Sequence, residues 1–290
     1  MPLYADAPLT TLDAVKAQVK LDTVNAADDI VVERLIVAAS DMITQFCARS
    51  FLPHRAARAF DALGDHVTAT TLDLDEDLLE VIALTNGDGA VLTAGQYVLR
   101  GRAFPKWRVE LLASAGAAWT YGTDWQEAVT LDGIWGYHED YGQAWVDTLD
   151  AVQDGGLGAG TATLTVGDAD GRDARYRTRF AVGQLLRIDS EYLRVVAVTI
   201  GATPDPDTLT VLRGVHGTTA AAHEAGASIA SFAPMRNVEQ ACISLVAWLY
   251  RNKATAGDEI RFMDGTQVIT NKAPSNIRQT LDAYVRVRTR

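Results

Sequence analysis

The sequence predicts an α+β protein: a small helical bundle with short β-hairpins or a small antiparallel sheet, interrupted by an inserted all-β module of barrel or sandwich type. Three observations carry that expectation. Apolar residues recur with helical period near both ends of the 290-residue chain. Between them lie short runs of alternating polarity, separated by Gly, Asn, Asp and Pro. A glycine-rich stretch, Gly155-Gly156-Leu157-Gly158-Ala159-Gly160, then opens a second series of such runs. The expected organisation is one domain made of residues 1–145 and 234–290, and an inserted β domain of residues 146–233.

Taken in order, Thr10 or Thr11 stands as an N-cap before a short helix with Leu12, Val15 and Val19 on one side. From Ala27 to about Phe46, the positions Val31, Leu35, Ala38, Ala39, Met42 and Phe46 form a one-sided stripe, and Asp28 and Asp29 sit where the helix dipole favours anions. Strand-like runs follow at Leu78–Leu84, Gln96–Leu99, Trp107–Leu111 and Ala128–Tyr137, with Asn86-Gly87-Asp88-Gly89 as turn chemistry. The module adds Thr161–Val166, Gln184–Ile188, Tyr192–Val198 and Thr208–Arg213. Val238, Ala241, Cys242, Leu245, Trp248 and Leu249 then mark a long helix, and Pro274-Ser275-Asn276 begins a last one with Ile277, Leu281 and Tyr284 on one face.

Composition narrows function before any motif does. With 26 Lys and Arg against 37 Asp and Glu, the formal charge is −11, which disfavours a broad face for nucleic-acid phosphates or an anionic membrane. Charge is uneven: residues 272–290 are the only clearly basic segment and end in Arg286-Val287-Arg288-Thr289-Arg290. No run approaches the ~20 apolar residues of a bilayer span, and Met1–Asp6 lacks the layout of a signal peptide. The expectation is a cytoplasmically made, unprocessed chain. Two cysteines, Cys47 and Cys242, read as reduced core thiols rather than a disulfide framework or a zinc site.

Catalytic signatures do not converge. His216 and His223 flank a run of small residues, and His223-Glu224 lacks the second histidine of a zincin helix. The glycine stretch has no Lys-Ser/Thr after it and reads as a linker. Asp73, Asp75, Glu76 and Asp77 are the densest carboxylate group; without the glycine and terminal Glu of a calcium loop, they read as a solvated, mutually repelling loop. Five of six tryptophans, Trp107 to Trp145, fall close together, fitting either a core or an interface. No enzyme, no cofactor and no metal are expected.

The arrangement resembles the head–tail connector, or head-completion adaptor, family of tailed bacteriophages. The resembling stretches are Leu9–Lys16, Asp28–Ser40, Phe46–Phe51, Val129–Tyr137, the helix over Val238–Lys253 and Pro274–Leu281 before the basic terminus. Residues 146–233 depart from the compact family pattern. Their stretches Phe180–Leu193 and Leu212–His223 look like β modules that decorate other phage virion proteins.

The resemblance implies a structural virion protein at the head–tail junction, made in the host cytoplasm. It would form a homo-oligomeric ring, commonly of twelve subunits, with the portal protein above, a tail, stopper or tail-terminator protein below, and genomic DNA passing through the lumen without specific binding. An acidic lumen repels phosphate and lets DNA slide. Portal docking then falls to Ile277, Leu281, Tyr284, Arg286, Arg288 and Arg290, the three arginines alternatively being a solvated terminus. The competing expectation is a virion-associated glycan-binding protein or hydrolase that uses the 146–233 module.

Overall fold

A computed structural model describes residues 8–20, 27–101, 105–153, 155–202, 206–252 and 275–286. Helices α1 (Leu12–Val19) and α2 (Asp29–Cys47) come first. Strands β1 (His54–Phe60), β2 (Thr71–Thr85), β3 (Val91–Leu92), β4 (Tyr97–Arg100), β5 (Lys106–Leu111) and β6 (Val129–Trp135) follow. Then come β7 (Trp145–Ala151), β8 (Thr163–Val166), β9 (Leu185–Ile188), β10 (Glu191–Thr199), β11 (Asp207–Leu212) and β12 (Ser228–Phe232). Helices α3 (Arg236–Arg251) and α4 (Ser275–Asp282) end the order.

The expected small helical bundle with an inserted module is thereby corrected. The described chain is mostly β, built on two antiparallel sheets of six strands each, with four helices. The region after Pro53, expected as short hairpins or a small antiparallel sheet beside the helices, is larger than that. It holds a full sheet, because β2 runs for 15 residues and pairs in turn with β3, β5 and β6. None of the four helices is long and apolar enough to cross a membrane.

The chain divides into two compact units. One comprises Arg49–Trp145 and Gly214–Thr219, and carries the sheet ordered β1-β6-β2-β5-β4, with β3 on β2. Leu72, Leu78, Leu84, Val109, Leu131 and Trp135 fill its core, and the Trp135 indole N–H donates to the Ala56 carbonyl at 2.8 Å. Gly217 marks a close approach: with φ +77° it lies against Arg55, whose carbonyl oxygen a Cβ would meet at 2.1 Å. The Arg55 amide donates to the His216 carbonyl at 2.8 Å, which fixes this excursion of the chain on β1.

The other unit comprises Met1–Ala48, Val146–Arg213 and Ala220–Arg290. Its sheet runs β7-β12-β9-β10-β11-β8. The chain just after β7 then meets β8, with the Gln153 amide donating to the Thr165 carbonyl at 3.0 Å, so the first and last strands of the order are joined. Asp150 tightens that seam by accepting from the amides of Gly167 and Asp168 at 3.0 Å each. Leu164, Leu186, Ile188, Leu193, Leu209 and Ile229 fill the interior, as the alternating pattern requires.

Within this unit α2 packs on α1, α3 and α4, and α3 packs on α1 and α4. Thr11 caps α1, its hydroxyl accepting from the Ala14 amide at 3.4 Å. Lys16, buried, pairs with Asp29 at 2.7 Å. Ser40 ties the group together: its Oγ accepts from the Leu9 amide at 3.0 Å and donates to the Ile36 carbonyl at 2.7 Å. The buried face of α2 is Val32, Ile36, Ala39, Ser40, Ile43 and Cys47. That corrects the expected stripe, of which only Ala39 is buried.

Candidate functional site

Two assemblies of charged side chains, one in each unit, are the arrangements with chemical potential. In the first, the carboxylate run Asp73–Asp77 lies on β2, and the loop expected there is corrected. Between Asp73 and Leu78 the register against β5 shifts, so the strand is irregular where the charges are densest. Each carboxylate has a cation supplied from a neighbouring segment. Asp73 takes Arg108 of β5, with Nη2 2.9 Å from Oδ2. Asp75 and Glu76 share Arg58 of β1. Asp77 takes Arg49 at 2.9 Å.

Aromatic faces back all three arginines. Arg49 lies 4.1 Å over the Tyr137 ring, Arg58 4.5 Å over Trp135 and Arg108 4.7 Å over Trp107. The tryptophan group therefore divides. Trp135 is fully buried, while Trp107 and Trp125 remain substantially exposed.

His54 sits beside Arg58, with Nε2 3.5 Å from Glu76 Oε1. Burial, followed by the charges of Arg58 and His216, lowers its pKa to about 4. A backbone hydrogen bond at Leu52 raises it only in part, and the ring is neutral near pH 7. A buried neutral imidazole whose neighbouring carboxylate is already held by an arginine is poorly placed as the base of a nucleophile.

The second assembly lies in the barrel. Glu191, at the start of β10, has no exposed side-chain surface. It accepts from Arg213 Nε and Nη2 at 2.7 Å each, from the Ala221 amide at 2.9 Å, and lies 2.9 Å from His223 Nε2. The other ring nitrogen of His223 faces Asp189 at 2.8 Å. Arg213 Nη1 donates onward to the Gly158 and Thr161 carbonyls at 2.8 Å. The glycine stretch is thus the seat of a structural clip. Leu157 and His223 exchange backbone hydrogen bonds of 2.8 and 2.9 Å, and Gly156, at φ +102°, packs on the His223 carbonyl.

His216 and His223 fall in different units, and each engages its own partners. Asp73 and Asp75 likewise share no unit with His223. Cys47 and Cys242 are both buried free thiols. Burial pushes the Cys242 thiol up to about 12, against a hydrogen bond from the Ser40 side, so it carries no thiolate at neutral pH.

Sequence reasoning missed one grouping. Asp168, Asp170 and Asp207 bring carboxylate oxygens within 4.8 Å of one another, a geometry that could hold a cation. Asp168-x-Asp170 was visible in the sequence, but Asp207 is remote from it. The group already has internal partners. Asp207 accepts from the Ala169 and Gly201 amides, which holds its carboxyl below the usual range. Asp168 lies 3.1 Å from Arg179 Nη1. A hydrogen bond shared with Asp168, and then the repulsion of its charge, raises Asp170.

Of the expected docking residues, Ile277, Leu281 and Tyr284 are buried. Leu281 presents its carbonyl to the Cys47 thiol at 3.8 Å, and the Tyr284 hydroxyl accepts from Asn237 of α3 at 3.1 Å. Their work within the chain is to seat α4 on α2 and α3. The Arg286 amide donates to the Cys47 carbonyl at 2.9 Å, while Arg288 and Arg290 lie outside the described residues. Compared with protein-family models and with curated proteins, the chain matches none.

Proposed function

We propose that the chain is a structural virion protein, a head–tail connector adaptor that forms a ring beneath the portal and lets genomic DNA pass from head to tail. The observation that carries the reading is the joining of the resembling stretches from the two ends of the sequence: Leu9–Lys16, Asp28–Ser40, Val238–Lys253 and Pro274–Leu281 supply α1, α2, α3 and α4, which pack on one another. Charge supports it as well. The carboxylates of the two charged assemblies, Asp73 to Asp77 and Glu191, are engaged by arginines, in keeping with a mechanical rather than a chemical task for them.

In this reading the acidic body of a chain whose net charge is −11 lines or surrounds the channel without retaining phosphate. The basic terminus, with Arg286, Arg288 and Arg290, reaches an acidic groove of the portal. A tail, stopper or tail-terminator protein binds the opposite side of the ring. Electron microscopy of the full chain mixed with portal particles tests the reading, the expected result being one added ring of density. Absence of that density, with residues 286–290 both intact and removed, overturns it, as does a salt-sensitive submicromolar affinity for DNA.

A further inference from the structure

His223 stands between two carboxylates, with Nδ1 2.8 Å from Asp189 Oδ2 and Nε2 2.9 Å from Glu191 Oε2. An ionised carboxylate only accepts hydrogen bonds, and a neutral imidazole has a single N–H to donate. Both contacts are therefore hydrogen bonds at once only when the ring holds two protons. The balance of charge agrees. An imidazolium at His223 and the guanidinium of Arg213 offset Asp189 and Glu191, whereas a neutral ring leaves one negative charge in excess around a side chain that is 1% exposed. Glu224, next in the chain, is exposed, and residues 157–161 bring no titratable side chain.

The two sides of the ring differ in their access to water. The Glu191 side chain has no exposed surface, while that of Asp189 is 67% exposed. Water can take the place of the ring at Asp189 and cannot do so at Glu191. A ring that gives up one proton therefore gives it up from Nδ1, keeps its bond to Glu191 and turns a lone pair toward Asp189.

We propose that His223 is a proton-operated clasp: holding two protons, it fastens the β9–β10 turn at Asp189 to the segment around residue 223, and loss of the Nδ1 proton releases that side. Its contribution is present while the ring holds both protons and is lost as pH rises. The sense is opposite to that of His54, where burial favours the neutral ring. The clasp also has a place in the course of the chain. Residues 214–219 belong to the other unit and the chain rejoins this one at Ala220, so His223 secures it just after its return. The clasp stands independently of the connector reading.

Nitrogen-15 spectra of the histidine rings in the full chain, recorded over a pH series together with amide hydrogen exchange, test this. At pH 7 the expected His223 signals are those of a ring protonated on both nitrogens. As pH rises, Nδ1 loses its proton while Nε2 keeps one. The amides of Leu157, Ala221 and His223 then exchange about fivefold faster than the base-catalysed increase followed on β8, a modest factor because Asp189 is solvated. Asp189→Asn is the discriminating variant. Asp189 has φ +51°, which asparagine tolerates, and a carboxamide can donate to an unprotonated Nδ1. In that variant the ring is expected to carry one proton at pH 7, and the extra exchange at 157 and 221–223 disappears. A His223 ring with a single proton at pH 7 in the unaltered chain overturns the proposal. So does an Asp189→Asn chain whose exchange depends on pH as the unaltered chain does.

Discussion

Both units pair arginines with carboxylates, and they do so under opposite conditions of solvation. In the barrel, Glu191 is wholly buried and meets two arginine nitrogens, a histidine and a backbone amide. On β2, the Asp75 side chain is 65% exposed and shares Arg58 with Glu76. An exposed pair is screened by water and contributes little, whereas a buried pair, once one partner is removed, leaves an uncompensated charge in a poor solvent. The barrel pair joins the 158–161 turn, the start of β10 and residues 221–223. Of the β2 pairs, Asp73–Arg108 bridges to the neighbouring strand β5, while Arg58 and Arg49 reach Asp75, Glu76 and Asp77 from β1 and the segment before it, along the stretch where the register of β2 shifts.

That contrast can be broken by substitution. Glu191→Ala is expected to cost about 3–5 kcal/mol, because Arg213 and His223 lose their acceptor inside the barrel. Hydrogen exchange should show the loss at residues 157–161 and 221–223. A cost no larger than that of an exposed pair would remove the distinction drawn here.

Next in size is a pH effect confined to the sheet unit. His54 titrates near 4 when folded and near 6.5 when unfolded, so the unfolded chain takes up the proton first as pH falls. The stabilisation is complete above about pH 6.5 and is lost down to about pH 4, by up to ~3 kcal/mol. Denaturant unfolding followed by tryptophan fluorescence reads this unit, which contains Trp107, Trp119, Trp125, Trp135 and Trp145. His54→Gln should flatten the pH dependence over that range; an unchanged slope would assign it to other groups. The smallest effect is expected for Asp75→Asn, at most about 1 kcal/mol and diminished further by salt.

How much of this was legible in the sequence depended on where partners lie. The strands of the unit carrying β8 to β11 were readable because β8 and β11 alternate and all four are short apolar runs bounded by turn residues that contribute to one core. The α4 face was readable for a similar reason, since Ile277 and Leu281 stand alone among polar neighbours. Helix α2 was not. Ile30, Val31, Val32, Leu35, Ile36 and Val37 put apolar residues nearly all round it, so period alone offers two stripes about 100° apart and does not say which one packs inward. The sequence favoured the one the fold leaves outward.

The carboxylate run misled for another reason. Repulsion within Asp73–Asp77 is evident locally, while the cations that relieve it, Arg49, Arg58 and Arg108, arrive from other segments once the sheet has formed. With Asp73–Asp77 read as a loop, β2 was reduced to its Leu78–Leu84 part, and the helices gained undue weight in the predicted architecture.

The packing of α2 on α3 has a consequence for synthesis. Ribosomes add about 5–20 residues per second. Helix α3 begins about 190 residues after α2 ends, so α2 emerges on the order of 10–40 s before its main partner exists. During that interval Val32, Ile36 and Ile43, the face destined for the interior, are open to solvent alongside Val31, Met42 and Phe46. The nascent α2 segment then exposes both of its apolar stripes until the C-terminal helices arrive to cover one of them.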